Sequence, residues 1–123
     1  MNPTIPSSLE AAIQQYFDIL YTCDLAKFDA LFSAAAQLQT VRDGSLVVIG
    51  RNDYRALLAQ RTPPASVGAA RHDRVLHVDV QGDHCAMAKV GVSIIDKEFV
   101  DYLCFLQADG RWQLVSKVYM QTA

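Results

Sequence analysis

The chain has no excess of charge of either sign, no long apolar run and no cysteine framework, and each absence removes a class of protein. Over 123 residues, 11 Lys and Arg against 13 Asp and Glu leave a formal charge of −2. Such a balance offers no basic surface for gathering phosphates, so nucleic acid is not an expected partner. No stretch reaches the ~20 apolar residues that a membrane span requires, so no membrane association is expected either. Cys23, Cys85 and Cys104 are far apart, odd in number and without a CxxC pair, which argues against a disulfide or zinc framework. Their apolar neighbours suggest small buried hydrophobes in a reducing compartment. The opening Met1-Asn2-Pro3-Thr4-Ile5-Pro6 has neither a positive cluster nor an apolar run. No signal peptide is expected, and a cytoplasmic protein is the reading. A phosphate loop, a dinucleotide fingerprint and a metal-ligand cluster are also missing, so no metal and no cofactor are implied.

What is present is apolar patterning. Hydrophobic residues make up 51% of the chain, enough for a core without staples. A domain of this length buries roughly two-thirds of the surface its unfolded chain exposes. With no repeat, low-complexity tract or linker, residues 1–123 read as one domain. Helical signals come first. Ser7 and Glu10 form a capping-box pattern, followed by Leu9, Ala12, Ile13, Tyr16, Phe17 and Leu20 at helical spacing. Asp24 can cap a second, shorter helix through Phe32. The period then changes to short strands, Ala36 to Val41 and Leu46 to Ile49, around an Asp43-Gly44 turn. Asn52 opens a third helix with Tyr54, Leu57, Leu58 and Arg61 on one side, and Thr62-Pro63-Pro64 stops it. After Gly68 the pattern predicts only strands: Arg71 to Val80, His84 to Ile95, Glu98 to Gln107 and Arg111 to Gln121. Their short connections predict an antiparallel meander.

Turn positions set which side chains share a face. A turn at Asp109-Gly110 places Asp101 opposite Val118, Leu103 opposite Ser116 and Phe105 opposite Leu114. A turn at Asp96-Lys97 places Val92 opposite Asp101, and a three-residue loop Gln81 to Asp83 places His72 opposite Val92. One row then crosses the sheet, His72, Val92, Asp101 and Val118, with Phe99, Leu103, Trp112 and Ser116 around it. This face is expected against the first helix, with Ala86 and Ala88 leaving room for a mostly apolar cavity. The opposite face carries Val100, Tyr102, Cys104, Val115, Lys117 and Tyr119. It is too apolar for a solvated sheet face, so a homodimer through it is expected.

The layout resembles the nuclear transport factor 2-like superfamily, the cone-shaped, cystatin-like fold shared with SnoaL-like cyclases and ketosteroid isomerase. More narrowly it is similar to a small bacterial family labelled "putative lumazine-binding". The resemblance runs through Tyr21-Thr22-Cys23-Asp24-Leu25, Phe28 and Leu31-Phe32, then Leu46 to Ile49 and the Tyr54-Leu57-Leu58 helix. It is sharpest in Asp101-Tyr102-Leu103 and from Asp109-Gly110-Arg111-Trp112 to Lys117-Val118-Tyr119. Cys23 stands where such sequences commonly have glycine. The resemblance implies an α+β fold, a curved antiparallel sheet wrapped around N-terminal helices, and a dimer. It does not fix an activity, because this architecture hosts isomerases, cyclases, dehydratases, hydrolases and pure binding proteins.

Asp101 is the most informative residue, a carboxylate in the middle of an apolar strand. A buried acid favours its neutral form unless something pairs with it, and such acids serve as general acids, bases or hydrogen-bond donors. The bland alternative is a structural carboxylate bound to a backbone amide or a tyrosine hydroxyl. His72 is its candidate catalytic partner through a bridging water or substrate, or else a histidine at an open strand end. Tyr16, Phe17, Tyr21 and Tyr54 from the helices, with Val92, Leu103, Trp112 and Ser116 from the sheet, are the candidate ligand-binding residues. Aromatic side chains at helical spacing are equally explained as core. Two functions follow. One is a pocket protein for an unidentified small hydrophobic molecule, of the cofactor-free isomerase, cyclase or dehydratase kind. The other is a non-catalytic dimeric binding or interaction module, in which Asp101 would be fully satisfied and no cavity would open beside it.

Overall fold

The computed structural model of the protein describes residues 5–123; the leader reading at Met1 to Thr4 lies outside the described residues. The first helix, α1, spans Ser7–Thr22 and buries Leu9, Ile13, Tyr16, Phe17 and Leu20, the stripe its spacing predicts. Its start differs from the capping-box expectation. Pro6 occupies the cap position, Ser7 is already helical, and no side chain caps the helix. At the other end Cys23 closes the helix in the left-handed region (φ 55°, ψ 36°), its amide donating to Ile19 O at 2.8 Å. That conformation is the one that favours glycine at a helix end. Helix α2 (Leu25–Leu31) is capped as expected by Asp24, whose side chain accepts from the Lys27 amide. Helix α3 (Arg51–Gln60) begins after Gly50, one residue before Asn52, and buries Tyr54 and Leu58 while Leu57 faces out. A short 3₁₀ turn, Pro64–Val67, follows the Pro63 break.

Six strands form a single sheet in the order β2-β1-β6-β5-β4-β3. They are β1 (Phe32–Arg42), β2 (Ser45–Gly50), β3 (Arg74–Gln81), β4 (Cys85–Ile94), β5 (Lys97–Ala108) and β6 (Arg111–Gln121). The meander β3 to β6 is antiparallel as predicted, but the sheet as a whole is mixed, because β1 runs parallel to β6. That parallel pair joins the early hairpin to the late meander. One contiguous core fills the space between the helices and the inner face, with Phe28, Phe32 and Tyr54 packed ring to ring. Ala86 and Ala88 lie buried inside this core.

The turns decide the register. Asp43-Gly44 and Asp109-Gly110 both have positive φ at each central residue, the type I′ geometry that Asp-Gly favours. The β4–β5 turn is not Asp96-Lys97 but Ile95-Asp96, since Ile94 pairs with Lys97. Asp101 therefore stands opposite Val90 rather than Val92, although it keeps its inward face. The β3–β4 loop has three residues as expected, but they are Gly82 to His84, with Gln81 paired to Cys85. Two bulges matter more. One at Leu76 ends the inward alternation of β3, leaving Leu76 45% exposed.

The other bulge lies at Val115. Phe105 pairs with Leu114 but Cys104 pairs with Ser116, so one extra residue is accommodated on β6. Parity flips there, as an odd insertion in a pleated strand must cause. Trp112 and Leu114 face in before the bulge; Lys117 and Tyr119 face in after it, while Ser116 and Val118 turn outward. The expectation that Lys117 and Tyr119 belong to the outer face, and Ser116 and Val118 to the inner one, is thereby overturned. Cys85 and Cys104 are likewise exposed on the outer face rather than buried, and Cys23 is half-buried. Among the described residues no helix is long and apolar enough to cross a membrane.

Ile95 sits at φ 59°, a strained setting for a β-branched residue, and it is largely exposed. Relief of left-handed strain (about 1–2 kcal/mol) exceeds the extra flexibility glycine gives the unfolded chain (roughly 0.5–1 kcal/mol). Ile95→Gly is therefore expected to stabilise the protein by about 1 kcal/mol in urea titrations, and a loss of stability would contradict the turn assignment.

Candidate functional site

Among the described residues the interior holds one carboxylate. Asp101, in the middle of β5, is 1% exposed and flanked on its own strand by inward Phe99 and Leu103. Tyr16, from the centre of α1, donates its hydroxyl to Asp101 Oδ2 at 2.5 Å. Lys117, brought inward by the bulge, places Nζ 3.7 Å from the same oxygen. The Lys117 ammonium also lies 5.1–5.3 Å from the ring centres of Tyr16, Tyr54 and Tyr119. Three ring faces around one desolvated cation supply the electrostatic attraction that lost water would have given.

Protonation follows from these neighbours. Burial, and then the Asp101 charge beside it, hold the Tyr16 hydroxyl well above the usual tyrosine range, so it remains a donor. Burial by itself would lower the Lys117 ammonium. The Asp101 carboxylate and the Tyr54 oxygen outweigh that effect and raise it above the ordinary lysine value. Lys117 is thus a fixed cation and not an amine nucleophile, because a reactive lysine needs its pKa depressed.

Three buried polar atoms among the described residues of this end lack a hydrogen-bond partner: Asp101 Oδ1, Tyr54 Oη and Arg61 Nη1. Their residues all line a cavity of about 190 Å³ at the open end of the sheet. Its walls are Arg42, Arg61, Lys97, Lys117, Asp101, Tyr54, Tyr119 and Gln121, with Val92, Ile94 and Phe99 as the apolar side. The cavity is more charged than the mostly apolar one predicted. Its volume falls below the roughly 300–1,000 Å³ of clefts for drug-sized ligands, so it suits a small molecule. Among the described residues no group of three or more His, Cys, Asp or Glu converges as a metal site.

The candidates named from sequence divide cleanly. Asp101, Tyr54 and Val92 line this cavity, and Tyr16 lies directly behind Asp101. Leu103 and Phe17 are packed in the core. Tyr21 donates to Ala69 O at 2.8 Å and, with His72 and Phe17, borders a separate shallow dent. His72 itself is exposed and precedes β3, which starts only at Arg74, so the expected row linking it to Asp101 through Val92 does not form. Trp112 is at the far end of the sheet, its indole donating to Ser8 Oγ at 3.1 Å. Ser116 is on the outer face near Gln39. The residues that sequence reasoning missed, Lys117, Tyr119, Arg42 and Arg61, depend on the bulge and on the convergence of β1 with α3. An inward lysine in Val115-Ser116-Lys117-Val118 has no sequence signal of its own.

A curved α+β sheet closed over helices, with a polar cavity at its open end, defines the nuclear transport factor 2-like class. Solved structures of that class superpose closely. A nuclear transport factor 2-like protein of unknown function from Silicibacter pomeroyi has a TM-score of 0.79 and 24% identity over 94% of both chains. One from Shewanella baltica has a TM-score of 0.82 and 20% identity over 99% of both. A "putative ketosteroid isomerase" from Kribbella flavida, at TM-score 0.59 and 17% identity, covers 95% of this chain and 79% of that one. The chain belongs to the family described as "putative lumazine-binding", whose model matches residues 6–120. No curated protein matches it.

Removing one partner of a buried ion pair strands the other charge, at a cost of about 3–5 kcal/mol. Lys117→Met is expected to lose stability on that scale by urea denaturation. The double variant Asp101→Asn with Lys117→Met should lose clearly less than the two single losses summed. Additive losses would mean that the pair is not coupled.

Proposed function

We propose that the protein binds a small organic molecule in the cavity beside Asp101 and moves a proton on it without a cofactor, as isomerases, cyclases and dehydratases of this fold do. The observation that carries this reading is the asymmetry of the Asp101 carboxylate. Tyr16 and Lys117 both address Oδ2, while Oδ1 is buried and unpartnered among the described residues, and Asp101 is part of the cavity wall. A purely structural carboxylate would have both oxygens satisfied, because a buried acceptor left unmade is costly. Oδ1 is therefore the oxygen that takes a proton from bound substrate. Tyr54 Oη, also unpartnered, and the Lys117 ammonium are donors available to an oxygen on which negative charge develops. His72, exposed and ahead of β3, has no part in this scheme.

The reading is tested by NMR-detected deuterium exchange at carbons next to a carbonyl, using a panel of small ketones and keto acids. General-base catalysis is worth typically 10²–10⁴-fold, so Asp101→Asn is expected to reduce the exchange rate at least a hundredfold. Binding of a panel member without any protein-dependent exchange would instead support a non-catalytic binding module. Exchange unchanged in Asp101→Asn would remove the aspartate from the chemistry.

We further propose that a second copy of the chain covers the outer face of the sheet. Tyr102, Leu106, Val118 and Met120 are each 42–46% exposed there, beside Cys104 and half-buried Val115. Monomeric proteins rarely expose so continuous an apolar surface. Light scattering is expected to give twice the 13.6 kDa of one chain, and Leu106→Arg to give a monomer. A monomeric parent protein at micromolar concentration would refute this.

A further inference from the structure

The charge of the cavity runs against that of the chain. The protein carries a formal −2, yet Arg42, Arg61, Lys97 and Lys117 share the cavity wall with Asp101 as the lone acid. Lys117 is matched by Asp101. Among the described residues, six cations have no carboxylate within ion-pair range, and three of them, Arg42, Arg61 and Lys97, meet at this one cavity, while Arg74, Lys89 and Arg111 lie outside its wall. The three at the cavity come from separate elements: the end of β1, the residue closing α3 and the start of β5.

Arg61 is the most specific of them. Its guanidinium lies 5.7 Å from the centre of the Tyr54 ring, and its Nη1 is buried without a hydrogen-bond acceptor. The backbone at Arg61 is fixed as well, donating to Leu57 O at 3.0 Å just before the Pro63 break. A planar guanidinium held on an aromatic face, with a buried donor unmet, presents a fork that a carboxylate accepts in two parallel hydrogen bonds. Opposite it, Val92, Ile94 and Phe99 offer an apolar wall for the carbon skeleton.

We infer that the cavity takes a small organic carboxylate, with its anionic end on Arg61, Arg42 and Lys97 adding charge at the rim, and its carbon skeleton on the apolar wall. This rests on the reading of the same cavity as a small-molecule site and assigns that site its ligand class. The Asp101 charge does not repel such a ligand outright, since Tyr16 and Lys117 already engage it.

Benzoate and its neutral isostere benzamide test the assignment in heteronuclear NMR titrations of the full chain. Benzoate is expected to bind at least tenfold more tightly than benzamide, to shift the Arg61 side-chain N–H resonance, and to weaken with added salt. Arg61→Gln should lower benzoate affinity at least tenfold and leave benzamide binding unchanged, and Arg61→Lys should restore part of the loss. Should Arg61→Gln fold poorly, Arg42→Gln with Lys97→Gln is expected to lower benzoate affinity in the same direction. Equal affinity for the two probes, unchanged benzoate binding in Arg61→Gln, or tighter binding of inorganic phosphate than of benzoate would overturn the assignment. Equal binding together with Asp101-dependent exchange would leave the pocket reading standing. No binding of either probe and no exchange would sink both.

Discussion

A single buried carboxylate sets the terms for the open end of this protein. Withdrawing a charged group from water costs several kcal/mol even after the protein relaxes, and only close, well-directed partners offset it. Asp101 finds them in two independent elements. Tyr16 approaches from α1 and Lys117 from β6, and each is itself buried. The helix cannot rotate on the sheet without withdrawing the tyrosine, and β6 cannot slide along β5 without withdrawing the lysine. The ion pair therefore acts as a register pin as well as a charge pair.

The pin exists because of the bulge at Val115. Regular pleating from Leu114 onward would put Ser116 and Val118 inside and leave Asp101 facing a serine and an aliphatic side chain. One inserted residue exchanges these for Lys117 and Tyr119 and adds the third ring to the cage around the ammonium. Bulges recur where a sheet must re-aim a side chain, and here the re-aimed side chain is the counter-charge of the one buried acid among the described residues. The same step brings Lys117 and Tyr119 into the wall of the cavity that Asp101 also lines.

How far the sequence could be read follows from where local chemistry is decisive. Asp-Gly turns need positive φ at both positions, and at Asp43-Gly44 and Asp109-Gly110 the turns and the pairs beside them form as predicted. The inward face of Asp101 was legible, because Leu103 and Phe105 share its parity and nothing interrupts β5. The β4–β5 turn was not, since nothing in Ile95 announces a left-handed backbone. Nor were the bulges, because Val-Ser-Lys-Val and Val-Leu-His-Val alternate acceptably in either parity. Lysine on a strand is assigned to solvent by default, and burial of Lys117 is intelligible only once Asp101 and three tyrosines are known to surround it. The row through His72 does not form for a simpler reason: His72 precedes the first residue of β3, so it has no place in the pleat.

The cations at the mouth and the buried pair below them are not independent. Arg61 is close enough to Tyr16 and Lys117 that its positive charge works against their protonated forms, lowering both from where burial and Asp101 would set them. An anion bound at Arg61, as proposed above, would offset that influence on both groups. By linkage the reverse also holds: a firmly protonated Lys117 adds positive potential to the cavity and favours the anion. The rim cations and the buried pair beneath them thus form one electrostatic unit, set in a chain whose formal charge is −2.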